Sequence, residues 1–522
     1  MDKTIPAAVA WAAGRFGDAP ALIDPGQGRW TFAELAEQVR TVARALTAAG
    51  AAPGDRVAIW APNTARWVLA ALGASCAGAT LVPVDTRLSA LEAADVIGRS
   101  GAGVLIVTGP LLGRDRLAEL RATGSPLPEI VISLAAWDEL LDRAAGEPGA
   151  HTAGEPGIRT AEDAGIRAAA EPGIRAAAVA VMPDDVSDIL FTSGTTGRSR
   201  GAMSTHRQSL GVATAWAEIA GLGPGDRYLM VNPFFSGFGL KAGLLACLVS
   251  GVTIVPQAVF DPGRTLDLVE TERISVLTGP PTLHLGLLDH PDRTGHDLSS
   301  LRLAVTEAAM LAPSLVTRIR DDLGCRTVLT AYGLTEAVVA TMCRPGDDVR
   351  TVASTSGRAA AGFEVRIDRP GGEVLLRGPN LMLGYLDDPE ATAAAIDADG
   401  WLHTGDVGRL DEHGNLTVTD RIKDMYVCGG FTVYPAEVER VLAGLPGVAE
   451  AAVIGVPDRR LGEIGKAFVV PRAGHGVAIV EVLQYCRAQL AGYKVPRTVE
   501  LRAELPHDAS GKVLKHLLRE SR

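Results

Sequence analysis

Short apolar runs alternate with helix-period segments along most of the chain. VAIWA (57–61) is a solid apolar run of strand length, TARWVLAALGASCAG (64–78) carries its apolar residues at helical spacing, and TLVPV (80–84) is again a strand. SALEAADVIGRS (89–100) predicts a helix and GVLIV (103–107) a strand, and the rhythm returns at TIVPQ (253–257), SVLTG (275–279) and LRLAVT (301–306). Solid apolar strands separated by helices predict parallel-rich sheets with both faces covered, an α/β class. Near DRIKDMYVCGG (420–430) the pattern changes. Helix AEVERVLAGL, strands AEAAVIGV and KAFVVP, and helix VAIVEVLQYCRAQL follow. They predict a small α+β domain over 421–522, mobile on a charged hinge, after a large domain over 1–420.

One stretch breaks the rhythm. From Gly146 to Ala177 an octapeptide recurs four times, marked by Gly149, Gly157, Gly165 and Gly173. So short a repeat of Gly, Pro and Ala buries little, which predicts a surface insertion within the first domain.

Composition narrows the function. The 522 residues are too many for one core. With 47% hydrophobic and 21% charged residues the chain is globular, and a net charge of −11 disfavours a nucleic-acid partner. Cys76, Cys247, Cys325, Cys343, Cys428 and Cys486 are scattered, with no CxxC pair to suggest a zinc site. The N-terminus lacks a secretory pattern and no apolar run reaches membrane-spanning length, so a soluble, cytoplasmic protein is expected.

The chemistry concentrates in FTSGTTGRSRGAMSTH (191–206). Gly194 and Gly197 let backbone amides converge on an anion, the hydroxyls of Thr192, Ser193, Thr195 and Thr196 add donors, and Arg198 and Arg200 add charge. No Lys-Ser/Thr pair follows Gly197, so this is not a P-loop. On composition alone it is either a triphosphate cradle or an ordinary turn.

Together with TAYGLTEA (330–337), GWLHTGDVG (400–408), DRIKDMYVCGGFTVYPAEVE (420–439) and LPHDASGKV (505–513), the loop resembles the ordered motifs of the adenylate-forming superfamily. That superfamily includes acyl-CoA synthetases, luciferases and adenylation domains. The resemblance covers nearly the whole chain and looks closest to actinobacterial ligases that activate the propionate side chain left by steroid-ring degradation.

It implies ATP, Mg²⁺ and CoA as ligands and a small acid as substrate. By resemblance, Tyr332 stacks on adenine, Thr335 donates to the α-phosphate, and Glu336 holds Mg²⁺, a hard ion suited to carboxylate oxygen. Asp406 and Arg421 take the ribose. Lys512 bridges the attacking carboxylate and the α-phosphate, Lys423 is the hinge, and Gly429 and Gly430 flank the pantetheine path. Glu336 and Lys512 together argue against a non-catalytic nucleotide-binding protein.

The sequence departs from the family in three places. Ser199 and Arg200 stand where Pro and Lys are usual; Arg keeps the charge in a forked form. Ser236, in PFFSGFGLKAG (233–243), replaces a histidine of the acyl pocket wall. Glu307, in LAVTEAAML (303–311), replaces a glycine at the sheet edge where α/β folds bind ligands.

A carboxylate there would repel a substrate carboxylate unless the substrate brings a donor, or unless Glu307 turns away to an arginine such as Arg302. A donor-bearing acid fits the first case, such as an amino- or hydroxy-substituted aromatic. The departures also suit a few actinomycete relatives that use ATP and nitrite to diazotise an aminoaromatic acid. A carrier-protein acceptor stays open.

Overall fold

The computed structural model describes residues 3–110, 113–145, 181–192, 199–306, 311–360, 362–368, 372–421, 425–472, 476–506 and 513–520. The octapeptide insertion lies outside them.

The alternating segments form the expected α/β layers. A seven-stranded sheet has the strand order Gly384–Tyr385, Arg200–Thr205, Val186–Thr192, Thr80–Pro83, Arg56–Trp60, Val104–Val107, Ile130–Ser133. Its last five members pair in parallel, and the first two joints are antiparallel. A nine-stranded sheet is parallel through its centre, from Thr327–Leu334 across Leu303–Thr306, Val276–Gly279, Arg227–Met230 and Thr253–Pro256 to Pro20–Asp24. Its antiparallel strands lie outside that run.

The helix Ala65–Cys76 is buried almost all round, as its apolar composition requires. It packs on Phe32–Ala48 so closely that a Cβ at Gly73 would lie 2.5 Å from Val42 Cγ1. Glycine is needed there for the approach.

Apolar periodicity did not foretell one element. Glu364–Ile367, Glu373–Arg377, Leu402–Leu410 and Leu416–Arg421 form an all-antiparallel four-stranded sheet. Beyond it, Tyr426–Cys428, Phe431–Val433, Val448–Asp458, Gly462–Pro471 and Thr498–Leu501 form a further five-stranded sheet. The helices Pro435–Ala443 and Ile479–Gln489 belong to the same region. Tyr426, Val433, Val438, Leu442, Val453 and Val482 belong to a core of their own, separate from that of the larger layers. No helix among the described residues is long and apolar enough to cross a membrane.

The helix Pro281–Leu288 lies behind the strand Val276–Gly279 and carries a fully buried imidazole, His284, whose Nε2 lies 3.4 Å from the Val305 carbonyl. Burial holds its pKa down to about 4. A base depressed in the folded state leaves stability intact above its unfolded value near 6.5 and removes it as pH falls toward 4. The urea midpoint should therefore drop between pH 6.5 and 4, with His284 supplying on the order of 3 kcal/mol of the loss. His284→Gln, which cannot titrate, should show a shallower pH dependence; an unchanged slope would remove His284 as the cause.

Candidate active site

A cavity of about 1300 Å³ opens at the carboxyl ends of the central strands of both large sheets and is closed on one side by the loop around Gly430. That is where ligands bind in open α/β sheets.

The strand Val186–Thr192 delivers Thr192 to the rim, in register with Arg200. Thr192 Oγ1 lies 3.5 Å from the Arg200 carbonyl oxygen. These two residues form the base of the expected phosphate loop. Ser193, Gly194, Thr195, Thr196 and Gly197 lie outside the described residues. Arg200 lies over the Tyr385 ring at 5.4 Å and has its Nε 3.5 Å from Asp388 Oδ2. Next to it, Ser199 Oγ accepts from Arg99 at 3.2 Å.

Thr335 and Glu336 are the two turn residues of the hairpin joining Thr327–Leu334 to Ala337–Met342, so both stand at a strand end on the cavity wall. The register slips between Tyr332 and Leu334, and Val339 opposite takes a φ of 57°. That is a strained conformation for a β-branched residue, placed beside the site.

Glu336 Oε1 accepts the Tyr385 hydroxyl at 2.6 Å. Burial, and then the Glu336 carboxylate, push the Tyr385 phenol above its ordinary range, which keeps it a donor. Tyr385 is a positioning group that sequence reading missed. It sits in a two-residue strand, Gly384–Tyr385, and only pairing with Arg200–Thr205 brings it to the site.

Tyr332 donates its hydroxyl to Asp406 Oδ2 at 2.6 Å, and Asp406 is buried on the strand Leu402–Leu410. The Tyr332 hydroxyl therefore steadies the carboxylate expected to meet ribose. Asp406 pairs in register with Arg421 through the backbone, which puts the two expected ribose contacts side by side.

Gly429 and Gly430, with φ of 59° and 86°, form the two-residue turn between Tyr426–Cys428 and Phe431–Val433. Turns of this kind need φ above zero at both positions. A Cβ at Gly430 would come within 3.0 Å of Pro280, so the turn rests directly on the larger domain.

Ser236 lies on the cavity wall, but its hydroxyl is used locally. It donates to the Pro233 carbonyl oxygen at 2.8 Å and accepts from Gly239 N at 3.0 Å, at the head of the π-helical turn Phe238–Leu245. The wall around it is largely apolar, with Leu190, Phe235, Phe238, Pro280 and Val338.

Glu307, Lys423 and Lys512 lie outside the described residues, as does the Arg421 side chain. The alternative partner expected for Glu307, Arg302, already carries other bonds. Arg302 donates through Nε and a terminal nitrogen to both oxygens of Asp226 and to the Gly221 carbonyl, ahead of the strand Leu303–Thr306.

No cluster of three or more His, Cys, Asp or Glu suited to a metal occurs among the described residues. The Glu336 carboxylate on the cavity wall fits Mg²⁺, which is usually held by one or two carboxylates and by substrate phosphates rather than by a protein cage.

Residues 9–386 match the family model of the AMP-binding enzymes, and residues 437–512 match the AMP-binding enzyme C-terminal domain. The chain belongs to the AMP-binding enzyme family. This AMP-binding enzyme is 53% identical, over 99% of both chains, to a 3-[(3aS,4S,7aS)-7a-methyl-1,5-dioxo-octahydro-1H-inden-4-yl]propanoyl:CoA ligase of Rhodococcus jostii. It is 52% identical, again over 99% of both, to the ligase of the same name from Mycobacterium tuberculosis. Among solved structures it resembles o-succinylbenzoate CoA synthetase of Bacillus subtilis, with a TM-score of 0.82, 28% identity, and 99% and 98% of the two chains covered.

Proposed function

We propose that this AMP-binding enzyme is an ATP-dependent acid–CoA ligase acting on a small cyclic acid that carries polar substituents, of the bicyclic keto-propanoate class. The full-length identity to the two actinobacterial ligases supports this reading most strongly.

In the first half-reaction the substrate carboxylate attacks the α-phosphorus of ATP and expels pyrophosphate. In the second a thiol attacks the acyl carbonyl and AMP leaves. Bound Mg²⁺ would offset charge building on the phosphate oxygens. The protein's own groups do the rest. Asp406, steadied by Tyr332, receives ribose; Glu336, steadied by Tyr385, would hold the metal; Thr335 meets the α-phosphate; Lys512 bridges the reacting groups. The Gly429–Gly430 turn then flanks the incoming thiol. The division at 420/421, with Lys423 as hinge, belongs to the same proposal.

The departures at Ser236 and Glu307 open a second reading. From the sequence alone, the lack of an imidazole at 236 and the acidic residue at 307 would suit an aminoaromatic acid, with ATP and nitrite forming a diazo group and no CoA ester.

AMP release, measured across a panel of acids with and without CoA and then with nitrite plus aminoaromatic acids, separates the two. CoA-dependent release with cyclic keto-acids supports the ligase. Release that requires nitrite and ignores CoA overturns it in favour of the diazotase. On the second reading Glu307→Gly should lose about ten- to a hundred-fold of discrimination for donor-bearing substrates, the worth of a charged hydrogen bond, whereas on the ligase reading it should change little. Ser236→His in that background should move preference toward plain acids. Unchanged selectivity in both variants would show that neither residue reads the substrate.

A further inference from the structure

The head of the helix Ala90–Ser100 meets the C-terminal domain through the same groups that cap the helix. Ser89 and Glu92 form a capping box: Glu92 Oε2 accepts Ser89 N at 2.8 Å, and Ser89 Oγ accepts Glu92 N at 3.3 Å. Each capping side chain has a second use. Ser89 Oγ donates to the Gln489 carbonyl oxygen at 2.8 Å, and Glu92 Oε1 accepts Lys494 Nζ at 2.8 Å.

Lys494 also donates to Glu437 Oε1 at 2.8 Å and is 4% exposed. Burial alone would push its ammonium down, but the Tyr493 phenol, Glu437 and Glu92 outweigh it and hold it above its ordinary value. Just ahead of the helix, Arg87 is gripped by both oxygens of Asp85. Its guanidinium lies 3.1 Å from the Phe431 ring centre and 4.8 Å from that of Tyr493.

These contacts divide unequally between the domains. Lys494 and Glu437 both belong to the C-terminal domain, so their pair does not depend on how that domain is seated. Glu92 belongs to the larger domain and reaches Lys494 in an arrangement that also sets the Gly430–Phe431 loop against the cavity. Lys494 and Glu437 are buried and Glu92 is mostly covered, and such burial is tolerated only while every partner is in place.

We propose that Glu92 is a positioning residue for thioester formation: through Lys494 it latches the C-terminal domain in the orientation that brings the Gly429–Gly430 turn to the cavity wall. This rests on the acid–CoA ligase reading. The latch favours the second half-reaction and leaves the first, for which Lys512 must reach the site, to another seating of the domain about the Lys423 hinge, so weakening it separates the two.

The test is Glu92→Gln, which keeps an acceptor for Ser89 N but removes the charge that holds Lys494. Glu92→Asp serves as a second variant, with a carboxylate that keeps the helix cap but stops one methylene short. Thioester formation should fall about tenfold in each, the size of a modest population shift. Pyrophosphate release without CoA should stay within about twofold of wild type.

Spin labels on Met182→Cys and Val480→Cys, both exposed positions, should report one interdomain distance in the parent and a second population in the variants, with half-buried Cys76 replaced by alanine. Equal losses in both half-reactions, or an unchanged distance distribution, would overturn the latch. If the parent forms no thioester with any acid, the ligase reading fails, and the distance measurement alone decides whether Glu92 holds the domain.

Discussion

Glu336→Gln should lower the rate of pyrophosphate release by about 10²–10³-fold, the usual effect of removing one pre-placed group that stabilises transition-state charge. The isosteric amide still fits the two-residue turn and still accepts the Tyr385 hydroxyl, so fold and nucleotide pocket should persist. What is lost is the negative charge that a hard cation requires. The Mg²⁺ concentration needed for half-maximal rate should rise as well, while metal-free nucleotide binding changes little.

Tyr385→Phe probes the same carboxylate from the other side. It keeps the charge and removes one hydrogen bond, so a loss of about tenfold is expected, the low end for a hydrogen bond to a charged group. Rates against Mg²⁺ for the three proteins check this. A Glu336→Gln enzyme running near the parent rate at low Mg²⁺ would remove Glu336 from the metal site.

Where local pattern decides structure, the sequence was readable. TARWVLAALGASCAG predicted a helix over 64–78, and it runs from Ala65 to Cys76, with Thr64 capping its start through the Trp67 amide. VAIWA and GVLIV became parallel neighbours in one sheet because solid apolar runs are stable only when covered on both faces.

The four-stranded antiparallel sheet escaped notice for the converse reason. LHTGDVGRL interleaves polar residues with glycines and has no contiguous apolar run, so it reads as a turn until its neighbours are known. The candidate site divides the same way. Tyr332, Thr335, Glu336, Asp406 and Gly430 were named from motifs, and all line one cavity. Tyr385 and Glu92 were not. Their roles come from partners 49 and 402 positions away in the chain, and no local signal marks such pairings.

Lys241→Met should destabilise the protein by about 3–5 kcal/mol, the cost of leaving one member of a buried ion pair uncompensated. Lys241 sits in the π-helical turn that Ser236 caps; its side chain is 3% exposed, and Nζ lies 3.0 Å from Asp188 Oδ1 and 2.7 Å from Ser204 Oγ. Asp188 is equally buried, and its other oxygen accepts the hydroxyls of Ser187 at 2.7 Å and Ser209 at 2.6 Å. Methionine fills most of the lysine volume, so the loss is electrostatic rather than a cavity.

Adding Asp188→Asn removes the stranded charge, and the double variant should recover part of the loss, as coupled buried partners do. Geometry ties this pair to function. Asp188 lies on the strand that ends at Thr192, and Lys241 lies on the turn that begins at Phe238 and that Ser236 caps, so the bond fastens the pocket wall to the base of the phosphate loop. π-Helical turns are often placed at such sites. Urea unfolding of the parent, the single variant and the double variant measures the coupling directly. A single-variant loss below about 1 kcal/mol would mean that water or a rearranged side chain replaces the ammonium, and that the pair does not hold the wall in place.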